Sequence, residues 1–302
     1  MLCSYNLLFI VIIISMINKM RFNWIIALLM LLATCCATLH AAKSAAKPTG
    51  KEDLNSYQIK IVTYNVAGLP DFITFNRKLA PTKTRFAHIG DLLKKYDIIC
   101  LQEMFIKDRE IIEKKLPSYY VVHGADVGEV KLLGSGVYTF SRWPVTSSHY
   151  EKWEHLTDAD MLSLKGFVAA TVVISPTLSI DVYNLHGQTG KSQDKAAMKI
   201  KNFERLAKYM DYQSGGSGRP VLLLGDFNIK TGDEVWNSIM KNTGVVAIPD
   251  PVKGKPDHLF YKENGSGWRI TVVETGTEFI DPDTKKKTSD HIAFQATLKF
   301  EK

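Results

Sequence analysis

The sequence predicts an α+β fold in which two packed sheets are covered by helices. Three observations carry that expectation. Short runs rich in β-branched and aromatic residues recur along the chain, each bounded by Gly, Pro, Asp or Ser. A few longer stretches between them carry apolar residues at helical spacing. No internal repeat or low-complexity tract interrupts the pattern, and many strands with few helices pack best as two sheets under a helical cover.

Residues 1–41 read as targeting rather than fold. Leu7 to Ile17 is almost wholly apolar, Lys19-Met20-Arg21 follows, and Trp24 to Ala33 leads into small residues. A basic flank, a short apolar segment and a small-residue region make a secretory signal, and Met20 would begin a complete one. Two alternatives stay open. Neither apolar stretch reaches the roughly 18 to 20 residues that span a bilayer, but together they could anchor the chain. Leu32-Ala33-Thr34-Cys35 resembles a lipoprotein cleavage box, although Thr34 fits it poorly. The expectation is a secreted, periplasmic or cell-envelope protein. Residues 42–56 are small and polar, a linker, and 57–302 form one domain.

Within that domain, Ile59 to Tyr64, Ile98 to Leu101, Val137 to Phe140, Phe167 to Ile174, Ile180 to Asn184, Val221 to Leu224 and Ile292 to Phe300 read as strands. Arg85 to Tyr96, Lys107 to Leu116 and Gln193 to Tyr212 read as helices. In the last, Lys195, Lys199 and Glu204 make a polar side, with Met198, Phe203, Leu206 and Met210 among the apolar positions. Gly215-Gly216-Ser217-Gly218 then turns the chain into a buried strand.

The chain has 38 Lys and Arg against 31 Asp and Glu. Four of those bases, Lys19, Arg21, Lys43 and Lys47, lie in the first fifty residues, which hold no acid; 34 bases against 31 acids leave +3. Such a balance speaks against a nucleic-acid binder, which carries a stronger basic footprint. Cys3, Cys35 and Cys36 fall in or beside the targeting region, so Cys100 stands alone in the domain as a small hydrophobe.

Polar residues cluster just past the strand ends. Asn65 follows the first strand, Glu103 the second, His186 the Ile180 run, and Asp226 and Asn228 the Val221 run; Asp290-His291 precedes the last. Strand ends aim side chains rigidly while leaving them open to solvent. Each residue alone has a plain reading: Asn and Asp form turns, Glu103 starts a solvated helix, His186 is a satisfied buried histidine. Five strand ends so equipped are another matter.

In order and rough spacing, Asn65, Gln102-Glu103, His186, Gly225-Asp226-Phe227-Asn228 and Ser289-Asp290-His291 resemble the motifs of the DNase I-like endonuclease/exonuclease/phosphatase superfamily, from about Ile59 to Phe300. The resemblance implies a four-layer α/β/β/α sandwich of two mostly antiparallel sheets, and water attack on a phosphate ester. It implies that Glu103, helped by Asn65, holds Mg²⁺, with Mn²⁺ or Co²⁺ as alternatives. His291 is then the general base, which Asp290 orients unless it reaches the metal instead. His186 and Asn228 would bind the phosphate, and Asp226 would orient water or assist the leaving oxygen.

Further features bear on substrate. Asp160-Met-Leu-Ser-Leu-Lys165-Gly166 resembles an element before a central strand of neutral and bacterial sphingomyelinases, and Gly136-Val137 to Ser141-Arg142-Trp143-Pro144 resembles another. Lys165 would place a cation near the phosphate. Asp257-His258-Leu-Phe-Tyr resembles a superfamily strand start, with Asp257 supporting the catalytic histidines or capping a loop. The expected substrate is a sphingomyelin-like phospholipid at a membrane surface, attacked by a monomer. A secreted nuclease and a phosphoinositide phosphatase are the alternatives. Gly187-Gln188 and Leu185 depart from the sphingomyelinase pattern around His186. Trp143, Trp153 and Trp268 are candidates for membrane contact, each with a core reading beside it.

Overall fold

The structure, a computed structural model, describes residues 55–74, 78–126, 132–279 and 287–302. The targeting segment and most of the linker lie outside the described residues. Asp53–Lys302 forms one compact unit.

Two six-stranded sheets make the frame. The first is ordered β11-β12-β1-β2-β4-β3, with β1 Ser56–Asn65, β2 Ile98–Gln102, β3 Tyr120–His123, β4 Tyr138–Ser141, β11 Arg269–Glu278 and β12 Ala293–Glu301. The second is ordered β5-β6-β7-β8-β10-β9, with β5 Val145–Lys152, β6 Gly166–Val173, β7 Ser179–His186, β8 Val221–Asp226, β9 Val246–Ala247 and β10 Asp257–Lys262. Each sheet holds one parallel pair, β1 with β2 and β7 with β8, among antiparallel neighbours.

Alternation along the inner strands builds three layers of core. Ile59, Ile61, Ile180, Val182, Leu222 and Leu224 meet between the sheets. From the other face of the first sheet, Val62, Tyr64 and Leu101 pack with Phe86, Ile89 and Leu93 of α2, Thr82–Leu93, and with Ile112 of α3, Glu110–Lys115. From the other face of the second, Tyr183, Leu185 and Leu223 pack with Phe203, Leu206 and Met210 of α4, Gln193–Met210, and with Trp236 and Ile239 of α5, Glu234–Thr243. A short α1, Asp71–Thr74, precedes α2. The four-layer sandwich is therefore present. Strands covered on both faces read as continuous apolar runs, which is why the inner ones are visible in the sequence.

The edge strands are not visible. β3, β5, β9 and β11 end the sheets; β5, for example, exposes most of Thr146 to His149. One covered face leaves too few apolar residues to mark a strand. The amphipathic α5 is also missed, although Asp233 caps it by accepting Trp236 N–H at 2.8 Å and Gly244 ends it at φ 65°. Helix bounds shift: α2 starts at Thr82, directly after Pro81, which stands at the N-cap with an extended ψ of 143°. The expected Lys107 to Leu116 helix divides into a 3₁₀ turn, Lys107–Arg109, and α3.

Candidate active site

Topology gathers the site before any side chain is considered. The parallel pairs send Asn65, Gln102-Glu103, His186 and Asp226 off strand C-termini. Antiparallel neighbours begin where those end: β12 beside β1, β10 beside β8 and β6 beside β7 bring His291, Asp257 and Lys165. Asp226 sits in register with both His186 and Asp257. The two edges meet, because Asn65 Nδ2 of the first sheet donates to Asp226 Oδ2 of the second at 2.9 Å. Below, Gln102 Nε2 donates to Asn184 Oδ1 at 2.7 Å, a second buried link between the sheets.

Backbone shape aims these groups. Glu103 and Asn228 adopt left-handed conformations, φ 58° and 55°, as does Ala67 at 49°. Such residues cost about 1 to 3 kcal/mol each and concentrate where surrounding structure enforces them. Gly225 meets a different demand: a Cβ there would lie 2.2 Å from the Leu185 carbonyl. Any side chain would push β8 off β7 and separate His186 from Asp226.

Around the cleft, Asn65 Nδ2 also donates to Glu103 Oε1 at 3.1 Å, while Asn65 Oδ1 accepts Ala67 N–H at 3.0 Å. Direct metal ligation by Asn65 Oδ1 would require the amide to rotate and give up Ala67. Fully buried His186 places Nε2 3.4 Å from Asp226 Oδ2 and 3.9 Å from Glu103 Oε1, yet neither ring nitrogen makes a hydrogen bond. Its main-chain carbonyl accepts the Trp153 indole N–H at 2.7 Å. His291 Nδ1 lies 2.9 Å from Asp257 Oδ2, and Nε2 lies 3.8 Å from Asp226 Oδ2.

The partner of the His291 ring is thus Asp257 and not Asp290. Asp290 is exposed beside Ser289, whose Oγ is 3.4 Å from its Oδ1. A residue adjacent in sequence cannot fold back onto its neighbour's Nδ1 as directly as Asp257, which arrives from the other sheet. Asn228 Nδ2 donates to the Gly187 carbonyl at 3.2 Å, and Asn228 N–H to Asp226 Oδ1 at 3.0 Å. Lys165 Nζ is buried 2.7 Å from Asp160 Oδ1, and Asp160 Oδ2 accepts both the N–H and the hydroxyl of Thr189. Lys165 is therefore committed to Asp160. Trp153 and Trp268 are core residues, and Trp143 packs partly buried against the core.

Two buried cations were not expected at this edge. Arg85, placed on a helix by the sequence, donates to the carbonyls of Val66, Ala67 and Thr288 at 2.8 to 2.9 Å. It thereby clamps the loop after β1 to the loop before β12. Lys199 does something similar on the second sheet. A charged side chain gives no sequence signal of burial when its partners are main-chain carbonyls.

Charges in the cleft do not balance. Burial, then the charges of Lys165 and His291, push the His186 pKa well below its usual value, so the ring is neutral. Burial also disfavours a charged His291, but Asp257 and Asp226 outweigh it and hold its pKa at about 10. Burial raises Asp257 to about 6 against the pull of His291. Three converging acids, Glu103, Asp226 and Asp257, thus face one imidazolium. An excess of hard oxygen donors fits a divalent cation such as Mg²⁺. Asp226, Asp257 and His291 each offer one ligand atom, all within 4.8 Å of one another. Asp257 is already spent on His291, however, which leaves Glu103 as the better anionic ligand, with Asn65 holding its carboxylate in place through Nδ2.

A sequence model of the Endonuclease/Exonuclease/phosphatase family matches residues 62–291. A protein of Mycobacterium tuberculosis named sphingomyelinase is 29% identical over 187 residues, covering 60% of this chain and 36% of its own length. The chain spans little more than a third of that relative. A mutant beta toxin of Staphylococcus aureus, crystallised with bound magnesium ions, superposes with a TM-score of 0.64 at 16% identity, covering 80% of this chain and 99% of that one. TDP2 of D. rerio, complexed with a single-strand DNA product, superposes at 0.58 with 17% identity, covering 80% and 98%. At such identities both structures establish the fold alone.

Proposed function

The chain belongs to the endonuclease/exonuclease/phosphatase family, and from that premise we propose that it is an exported, Mg²⁺-dependent phosphodiesterase acting on a sphingomyelin-like phospholipid. One observation carries the catalytic part: Glu103, His186, Asp226 and His291 converge from both sheets on a single cleft.

In this reading His291 Nε2 takes the proton of the attacking water while Asp257 keeps Nδ1 protonated and the ring oriented. His186, neutral and without a protein hydrogen bond, is ready to donate one ring N–H to the phosphate. Asn228 supplies a second donor. Asp226, between the two imidazoles, orients the water or passes a proton to the leaving oxygen. Lys165 acts through its fixed charge beside His186. Glu103, oriented by Asn65, would hold Mg²⁺, which would supply charge stabilisation at the phosphoryl oxygen and offset the carboxylates that otherwise keep His291 protonated.

The lipid assignment draws on the Asp160 to Lys165-Gly166 element and on the name of the mycobacterial relative. Export draws on residues 1–41, and N-terminal sequencing of the mature protein tests it. The substrate test offers sphingomyelin, a phosphoinositide and plasmid DNA to the purified protein, with Mg²⁺ and with EDTA. Release of phosphocholine only with Mg²⁺ is expected. Cleavage confined to DNA or to the phosphoinositide would replace the lipid reading, and full activity in EDTA would remove the metal.

A further inference from the structure

We infer that Lys199 is a positioning residue for this reaction: its buried ammonium ties the loop after β7 to the loop after β8 and so fixes Asn228 against the phosphate. The inference rests on the phosphodiesterase reading, in which Asn228 donates to the substrate.

Helical spacing puts Lys199 on the polar side of α4, yet it is only 4% exposed. Its Nζ donates to the Gly190 carbonyl at 2.7 Å and to the Asn228 carbonyl at 2.5 Å. Both acceptors belong to left-handed residues, Gly190 at φ 92° and Asn228 at φ 55°. Gly190 lies four residues past the end of β7 and Asn228 two past the end of β8. Burying an ammonium is costly, and desolvation weakens its hold on the proton. Helix docking alone would not need it, because Phe203, Leu206 and Met210 already seat α4 on the second sheet.

What Lys199 adds is a cross-link between two backbones that carry His186 and Asn228. Asn228 N–H also donates to Asp226 Oδ1, and the loops are joined close to their strands by Asn228 Nδ2 to the Gly187 carbonyl and by Gly187 N–H to the Asp226 carbonyl; Lys199 adds the tie farther out, at Gly190. A cavity of about 450 Å³, lined by Gly190, Lys199, Asn228, Ile229 and Pro256, opens beside the tether. The loops therefore have room to shift once the ammonium is gone. Loss of catalytic geometry by an ångström or less suffices to cost about 10-fold or more in turnover.

The experiment compares the wild-type chain with Lys199→Met, Asn228→Ala and the double variant. Hydrogen–deuterium exchange reads the tether without any substrate. Faster exchange confined to residues 187–191 and 226–230 in Lys199→Met, with an unchanged melting curve, is expected; wild-type exchange there would overturn the inference even if the protein cleaved no lipid. On sphingomyelin micelles, kcat should fall about 10-fold or more with KM within about 2-fold. In the Asn228→Ala background the same change should cost less than about 2-fold, because Lys199 acts through Asn228. An equal cost in both backgrounds would assign Lys199 to general stability instead. Should Lys199→Met not fold, Lys199→Gln keeps donors without the charge. Exchange in the two loops between wild type and unprotected is then expected, and wild-type exchange would again overturn the inference.

Discussion

Asp257 Oδ2 stands 2.9 Å from His291 Nδ1, and the pair spans the sandwich: Asp257 opens β10 of one sheet, while His291 precedes β12 of the other. The stacking of the sheets therefore sets the orientation of the ring. Asp257→Asn keeps the shape but presents an amide where the ring needs an acceptor, so kcat should fall about 100-fold or more. His291→Ala should abolish turnover with the fold intact, and the double variant should be no worse than His291→Ala. Steady-state kinetics decides; a third of wild-type kcat in either single variant would exclude this assignment.

The same pair predicts a pH dependence of stability for the metal-free protein. The folded pKa of His291, about 10, lies above its usual 6.5. The folded state thus binds a proton more tightly than the unfolded chain, and its contribution is fully present below pH 6.5. It is lost as pH rises from 6.5 through about 10. In EDTA, the melting temperature of wild type should fall toward that of His291→Gln across this window. A gap between them that stays constant from pH 6 to 10 would count against the charged ring.

Glu103 makes a separate prediction. A ligand bound only by the folded state stabilises it by about 2.7 kcal/mol at a hundred times its Kd. Mg²⁺ should therefore raise the melting temperature of wild type but not of Glu103→Gln, whose carboxamide cannot offer the same anionic donor. The measurement needs no substrate. An equal Mg²⁺-induced rise in both proteins would move the ion elsewhere in the cleft, with Asp226 and Asp257 the nearest acids.

Much of this site can be read from the chain because its residues sit at the ends of strands buried on both faces. The runs leading to Glu103 and Asp226 are continuous apolar blocks, those leading to Asn65 and His186 are mostly apolar with a few polar residues among them, and the polar residue ending each is conspicuous. Edge strands such as β5 lack that signature. Partnerships are hidden for a different reason. Asp257 reaches His291 across 34 positions, and no local pattern distinguishes it from Asp290 next door. Lys199 was misplaced because helical spacing assigns it to a solvated face, whereas the loops at Gly190 and Asn228 fold over it. Tertiary contacts of the main chain leave little trace in side-chain pattern.

Asp160 and Lys165 test whether a buried ion pair near the site stabilises the fold or merely survives in it. Their side chains are 8% and 5% exposed, and the pair closes at 2.7 Å. Removing one partner of such a pair typically costs about 3 to 5 kcal/mol, because the other charge remains buried. Lys165→Met should fall at or below the low end, since Asp160 Oδ2 keeps two donors from Thr189. Asp160→Asn in the same chain removes the stranded charge while still accepting from Thr189, so the double variant should recover more than half of the loss. Urea denaturation measures both. A single-variant cost under about 1 kcal/mol would place the pair among ordinary surface ion pairs. Lys165→Met should also raise the His186 pKa by removing a nearby cation, which NMR titration of that ring would detect directly.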